Sequence, residues 1–181
     1  MFYIGWTLFF GIHAGMLVPS WRNALVEALG ESRYKSVYAL VSLVGLVLLI
    51  MGYGQSPALN VGASALARET SLAWMAAAWF FMLSANLPGR CRALVRHPMT
   101  IGIMLWGIGH ALINPHVNAW LLFLGFAGFV LLSALTARAR GKGQGSDSGS
   151  IKMDVLAAAI AGLATWLSYR FHEVIAGVPL A

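Results

Sequence analysis

Histidine is the residue type in this chain that could do chemistry in apolar surroundings. Five histidines occur among the 181 residues. His13, His110 and His172 fall within long apolar stretches, His97 lies just before the start of one, and His116 lies between two. An ionisable side chain within an apolar segment is costly and usually functional, and neutral imidazole is a common metal ligand. These positions predict a metal or haem site; the alternative is a set of hydrogen-bonded structural histidines.

His13 stands between two glycines, Gly11 and Gly15, in the first apolar stretch. A Gly-x-x-x-Gly pair allows two helices to approach closely. Two residues of helical rotation amount to about 200°. We therefore expect the glycines to face one neighbouring helix and the imidazole to face roughly the opposite way.

His110 has Trp106 one turn before it, on the same helix face, and Gly107 close by. A haem site in a helical bundle needs an axial imidazole, room for the porphyrin and apolar walls. Gly107 would leave that room and Trp106 would supply a wall, although Gly107 equally suits simple helix packing.

The composition places these histidines in a membrane protein. Hydrophobic residues make up 59% of the chain and charged residues 10%, whereas a soluble domain carries about 25% charged residues. The formal net charge of +6 would suggest nucleic acid in a soluble protein. Here the basic residues lie in the gaps between apolar stretches. We therefore expect the lipid bilayer as a partner, and we expect no binding of nucleic acid. The single cysteine, Cys91, excludes an intrachain disulfide.

Six apolar stretches predict transmembrane helices, because a bilayer core about 30 Å thick needs about 20 mostly apolar residues. They are Phe2–Ser20, Val37–Gly54, Leu72–Leu87, Met99–Asn114, Val117–Thr136 and Met153–Ala176. None shows the alternation of a strand, and lipid rejects open sheet edges. The expected fold is all-α, an integral membrane bundle of about six transmembrane helices. We expect a single domain over residues 1–181 with a flexible cytosolic loop at 138–154.

The basic residues alternate along these stretches. The first, third and fifth gaps hold ten of the twelve Lys and Arg residues. Cytosolic loops carry an excess of Lys and Arg, so these three gaps are predicted to be cytosolic. Both termini should then lie on the outer side, which in a bacterium is the periplasm.

Depth in the membrane limits which histidines could share one iron. At 1.5 Å per residue, His13 should lie about 16 Å from the outer face and His110 about 6–9 Å from it. His172 should lie at a depth similar to that of His110. A bis-histidine haem would pair two of these three. His110 with His172 fits the depths more easily, and His13 with His110 requires a tilt or an error of about one turn.

His97 stands thirteen residues before His110 on the same predicted helix, too far away to share its metal. In Arg96-His97-Pro98 the proline suits the first turn of a helix, and Arg96 and His97 would mark the cytosolic boundary. The alternative for His97 is a contact with a haem propionate or a lipid headgroup.

Five segments of the chain resemble the NnrU family of bacterial membrane proteins. They read FFGIHAG, RNAL (residues 22–25), LGESRYKSVYALVSLVGLVLLIMGYG, LPGRCRALVRHPMTIGIMLWGIGHALIN and FHEVIAGVPL. The resemblance covers nearly the whole chain, and its most specific part is the Arg-His-Pro segment with Gly-His-Ala-Leu-Ile-Asn thirteen residues on. The 15-cis-zeta-carotene isomerases of plants and cyanobacteria belong to the same superfamily.

The resemblance implies a cofactor and ligands. The carotene isomerases are membrane haem b proteins that use redox-dependent histidine ligation to isomerise a polyene double bond. Their ligand histidines correspond here to His13 and His110, which implies metal ligation and a catalytic role for this pair. Further candidates for the cofactor site are His97, Trp106, Gly107 and His172. The resemblance also implies a multi-pass protein of the bacterial inner membrane.

The expected function is therefore redox-dependent cis–trans isomerisation of a long apolar polyene by bound haem b. One alternative is a haem protein without catalysis of its own, in nitrogen-oxide metabolism, electron transfer or sensing, with an unknown redox partner. Another is a membrane methyltransferase, since those enzymes also carry Arg-His-Pro followed by a glycine, here Gly102. They have a later acidic motif, for which this chain offers Glu173 on the predicted outer side.

Overall fold

The computed structural model describes residues 1–55, 57, 64–141 and 148–177. These residues form ten α-helices and, between the eighth and ninth, a 3₁₀ turn at Arg138–Arg140. The helices are α1 (Phe2–Gly15), α2 (Pro19–Leu29), α3 (Glu31–Tyr53), α4 (Ala65–Glu69), α5 (Ser71–Ser84), α6 (Arg90–Leu94), α7 (Pro98–Ile113), α8 (Val117–Leu135), α9 (Ile151–Arg170) and α10 (His172–Ala176). No strand lies in these described ranges, and the predicted all-α class is confirmed.

The helices belong to two compact units. The first comprises Met1–Gly62 and Asn114–Lys142 and contains α1, α2, α3 and α8. The second comprises Ala63–Ile113 and Gly143–Ala181 and contains the remaining six helices of the described residues.

Three of the described helices are long and apolar enough to cross a membrane. These are α3, α8 and α9, with 23, 19 and 20 residues. The pair α1 and α2 meets the same criterion but is bent by 96° at the break between them. The apolar helices α5 and α7 have 14 and 16 residues, or about 21 and 24 Å, which is shorter than a bilayer core of about 30 Å. The chain is an integral membrane protein, and the count of six spans stays a prediction.

In the first unit, α1 and α3 lie antiparallel with their backbones in direct contact. A Cβ atom built on Gly45 would lie 2.8 Å from the backbone nitrogen of Phe9, and one on Gly52 would lie 2.4 Å from that of Phe2. A Cβ atom on Gly5 would come within 2.5 Å of the α3 backbone. Helix association in lipid depends on close packing rather than on the hydrophobic effect, so these three glycines set the approach of the two helices.

The predicted role of Gly11 and Gly15 in helix approach is wrong. A Cβ atom on Gly11 would meet no atom within 4 Å, and one on Gly15 would collide with the Trp21 indole of α2. The close contact of α1 with its neighbour occurs nearer its beginning, at Gly5, because α3 presents its own glycines there.

The first half of α8 joins this unit through polar contacts. The Trp6 indole N–H donates to the carbonyl oxygen of Leu121 at 2.9 Å. The buried Asn118 amide donates to the carbonyl oxygens of Gly52 and Tyr53 at 3.0 and 3.2 Å. Carbonyl groups at the end of a helix have no partner within that helix, so Asn118 supplies donors that lipid could not.

In the second unit, α5 packs against both α7 and α9. Ala78 of α5 is fully buried, and Ala157 and Ala161 of α9 are buried as well. A Cβ atom on Gly102 of α7 would lie 2.7 Å from the Ala78 carbonyl oxygen. Small side chains therefore allow close packing in this unit too.

The predicted loop at 138–154 is partly helical. Arg138–Arg140 form the 3₁₀ turn, and α9 begins at Ile151, two residues before the predicted apolar stretch. Residues 142–147 lie outside the described residues. The Ser150 backbone N–H donates to the carbonyl oxygen of Pro88 at 3.0 Å, which ties the beginning of α9 to the segment before α6.

Candidate functional site

The imidazole of His13 is hydrogen-bonded to the backbone of its own helix. Its Nδ1 lies 2.6 Å from the carbonyl oxygen of Phe9, one turn earlier in α1. A carbonyl oxygen can only accept, so Nδ1 carries the proton. In the neutral ring the lone pair is then on Nε2, which is the arrangement found in metal-ligating histidines.

Aromatic rings from three helices surround the half-buried His13. The centroid of its ring lies 4.4 Å from that of Phe9, 5.4 Å from that of Tyr38 and 5.7 Å from that of Phe129. None of these three was predicted. The spacing of Phe9 from His13 is a local signal that could have identified it. Tyr38 and Phe129 carry no such signal, because only the packing of α3 and α8 brings them to α1.

An apolar groove of about 490 Å³ lies beside this aromatic cluster in the first unit. It is lined by Trp6, Phe10, Ala14, Trp120, Leu121, Leu124, Gly125, Gly128, Phe129 and Leu132. None of these lining side chains is charged, and Phe129 belongs both to the groove and to the rings around His13. A Cβ atom on Gly128 would meet nothing within 4 Å, so the groove is open at that position. Such a groove suits an apolar molecule.

His110 repeats the arrangement of His13 in the second unit. Its Nδ1 lies 2.9 Å from the carbonyl oxygen of Trp106, one turn earlier in α7, which again places the proton on Nδ1 and the lone pair on Nε2. The ring centroids of Trp106 and His110 are 5.1 Å apart, with the planes inclined by 47°. The side chain of His110 is half-buried, and Gly107 is buried within the same helix.

His172 is a second histidine of this unit and begins α10, after the end of α9 at Arg170. It belongs to the same compact unit as His110. The predicted alternative pairing of His110 with His172 thus joins two residues of one unit.

His97 lies in the connection between α6 and α7 and is half-buried. Its carbonyl oxygen accepts a hydrogen bond from the Ile101 N–H at 3.3 Å. Pro98 is the first residue of α7, as predicted from the preference of proline for the first helical turn. A contact of His97 with a propionate or a headgroup stays a prediction.

In the part of the chain that the structure describes, no three His, Cys, Asp or Glu side chains lie together as ligands of a metal ion. A haem iron already has its porphyrin nitrogens and takes one or two axial ligands from the protein. His13 and His110 each offer such a ligand within their own unit. That the two bind the same iron stays a prediction.

Comparison with known proteins identifies the family. No curated protein and no solved structure matches the chain. A family model described as NnrU protein matches residues 1–180. This match spans the histidine-bearing helices of both units, and the chain belongs to the NnrU protein family.

Proposed function

We propose that this chain binds haem b in the membrane through His13 and His110 and isomerises a double bond of a long apolar polyene. The observation that carries the proposal is the short distance from Nδ1 of each imidazole to a backbone carbonyl oxygen. Each donates from Nδ1 to a carbonyl oxygen of its own helix, at 2.6 Å for His13 and 2.9 Å for His110. Each therefore has its lone pair on Nε2.

The same hydrogen bonds orient the rings. Metal-ligating histidines usually donate their other ring N–H to a carbonyl or carboxylate, which fixes the ring and raises its basicity as a ligand. For His13 and His110 the acceptor is a backbone atom within a helix. The orientation therefore depends on the helix itself rather than on a particular neighbouring side chain.

The surroundings of His13 suit an apolar cofactor and substrate. Bound haem would supply an iron that changes oxidation state and acts as a Lewis acid toward a polyene. The two imidazoles hold that iron in the proposal, and the rings of Phe9, Tyr38 and Phe129 give His13 aromatic surroundings. The uncharged groove beside Phe129 receives the apolar chain of the substrate.

Absorption spectra of the purified protein, oxidised and then reduced with dithionite, test the cofactor and its ligands. We expect a Soret band and sharp α and β bands on reduction, as for low-spin haem b. His13→Ala and His110→Ala should each alter or abolish these bands. His116→Ala is the matched control, because that side chain is exposed and makes no capping hydrogen bond to α8.

Unchanged spectra in both His13→Ala and His110→Ala would reject the assignment of the ligands. If His110→Ala and His172→Ala each lose the bands and His13→Ala keeps them, the result would instead favour the pairing of His110 with His172.

A conversion assay separates catalysis from haem binding. The oxidised and the reduced protein are incubated with 15-cis-zeta-carotene in detergent, and the isomers are separated by chromatography. We expect conversion in one oxidation state only, since ligation that depends on the redox state underlies the proposal. An intact haem spectrum with no conversion in either state would favour a non-catalytic haem protein in electron transfer or sensing.

A further inference from the structure

The helix α2 departs sharply from the direction of the helix before it. α1 ends at Gly15, and α2 begins at Pro19 with its axis bent by 96°. Val18 between them is extended, with φ −99° and ψ 102°, as expected for a residue before proline. Because α1 and α3 are antiparallel, α2 runs across the end of this helix pair.

The sequence of α2 is amphipathic with the period of a helix. Apolar residues recur at i, i+3, i+4, i+7 and i+8, the spacing of one helix face. They are Trp21, Ala24, Leu25, Ala28 and Leu29. No residue of α2 is buried, and 48% of the Trp21 side chain remains exposed. The first unit therefore leaves much of this apolar face uncovered, while Asn23 and Glu27 form a polar, exposed side.

Contacts with both neighbouring helices hold α2 in this direction. The Trp21 indole lies against Gly15, where even a Cβ atom would collide with it. The Arg22 guanidinium lies 5.9 Å from the centroid of the Tyr34 ring, and the Tyr34 hydroxyl donates to the sulfur of Met16. The bend is thus fixed by packing at the end of α1 and the beginning of α3.

The segments on the two sides of α2 differ in polarity. The apolar α1 precedes it, and Glu31, Arg33 and Lys35 follow it in the first turns of α3. The next residues of α3 include Val37 and Leu40, which are 48% and 62% exposed, as expected of side chains that face lipid. Val37 is about 9 Å along α3 from Glu31 at 1.5 Å per residue, a distance comparable to the depth of the headgroup region.

We infer that α2 lies in the plane of the membrane surface, within the boundary between headgroups and acyl chains. Trp21, Ala24 and Ala28 face the acyl chains, and Asn23 and Glu27 face water. Amphipathic helices bury their apolar face about 5–10 Å into this boundary. Arg22 of α2, with Arg33 and Lys35 at the beginning of α3, adds attraction to anionic headgroups. This inference is independent of haem binding.

The test places a fluorophore on adjacent positions of α2. In the full-length chain with Cys91→Ser, single cysteines replace Ala24, Ala28, Asn23 or Glu27 and are labelled with an environment-sensitive nitrobenzoxadiazole dye. The labelled proteins are reconstituted with a large excess of phosphatidylcholine and phosphatidylglycerol. We expect blue-shifted emission and several-fold weaker quenching by aqueous iodide at Ala24→Cys and Ala28→Cys than at the matched neighbours Asn23→Cys and Glu27→Cys.

Spin-labelled lipids provide the complementary measurement. They should quench the dye at Ala24→Cys and Ala28→Cys more strongly than at Asn23→Cys and Glu27→Cys. Equal iodide quenching at all four positions would overturn the inference. A blue shift at Ala24→Cys that disappears on further dilution with lipid would also overturn it. Such a dependence on dilution would mean that a second copy of the chain, and not lipid, covers the apolar face.

Discussion

The carboxylate of Asp154, in the first turn of α9, accepts a hydrogen bond from the backbone N–H of Arg90 at the beginning of α6, at 2.9 Å. Its second oxygen accepts from the Cys91 N–H at 3.1 Å. Helix N-termini leave N–H groups without partners, and an Asp side chain usually caps them from the preceding residue. Here the cap comes from a different helix of the second unit, 64 positions along the chain from Arg90.

Replacing this capping carboxylate should destabilise the second unit. Asp154→Ala removes both acceptors, and we expect the free energy of unfolding to fall by about 1–2 kcal/mol. Asp154→Asn keeps one acceptor oxygen and should lose less. Unfolding by sodium dodecyl sulfate in mixed micelles measures the effect. The control is Glu31→Ala, which removes an exposed i,i+4 ion pair with Lys35 and should change stability little, because water screens the charges of exposed pairs. A loss in Asp154→Ala no greater than in this control would contradict the capping role.

The contact between α1 and α3 should not tolerate a methyl group at Gly52. Its Cβ atom would lie 2.4 Å from the backbone nitrogen of Phe2, so the two helices would have to separate. We expect Gly52→Ala to lower the free energy of unfolding by about 1–3 kcal/mol, as for overpacking in a core. Gly54→Ala, two residues on, has nothing within 4 Å of its Cβ position and should change stability by less than about 0.5 kcal/mol. The same mixed-micelle titration compares them, and equal effects would contradict the predicted contact.

The amide of Asn118 should be needed at the end of α3. Asn118→Leu removes the side-chain donor to the carbonyl oxygens of Gly52 and Tyr53. The Gly52 oxygen still accepts from the Gln55 backbone N–H, so the Tyr53 oxygen is the one that loses its donor. We expect a loss of about 2 kcal/mol, since an unsatisfied buried polar group costs about 1–3 kcal/mol. Asn86→Leu is the control, because that amide is exposed and donates only within its own helix turn, to the Met82 carbonyl oxygen. An unchanged free energy of unfolding in Asn118→Leu would show that these carbonyl groups need no donor.

Filling the groove of the first unit should reduce conversion of the proposed substrate while sparing the cofactor. Gly128 lines the groove and has open space at its Cβ position, so the side chain of Gly128→Leu would begin in the groove. We expect an unchanged haem spectrum and at least a severalfold slower conversion of 15-cis-zeta-carotene. Gly162→Leu is the matched control in α9 of the second unit, where the Cβ position is also open. Equal rates of conversion in Gly128→Leu and Gly162→Leu would show that the groove does not bind the substrate.

Hydropathy was sufficient to predict the class of this protein, because the need for consecutive apolar residues in lipid is a property of the sequence itself. The predicted stretch Val117–Thr136 differs from α8 by one residue at its end. Hydropathy predicts one helix over Phe2–Ser20, but the chain turns by 96° before the end of this stretch. A hydropathy window does not register chain direction. Pro19 was the available signal, since the residue before a proline avoids the helical conformation.

The sequence by itself determined the membrane environment and which histidines lie in apolar helices. The sequence also determined the hydrogen-bond acceptor of Nδ1 in His13 and His110, because a carbonyl oxygen one turn earlier is available in any helix. The rings of Tyr38 and Phe129 beside His13, and the carboxylate of Asp154 at α6, were decided only by tertiary structure. These groups lie far apart in the chain. Whether a side chain faces another helix or lipid depends on how each helix is rotated, and packing against neighbours sets that rotation.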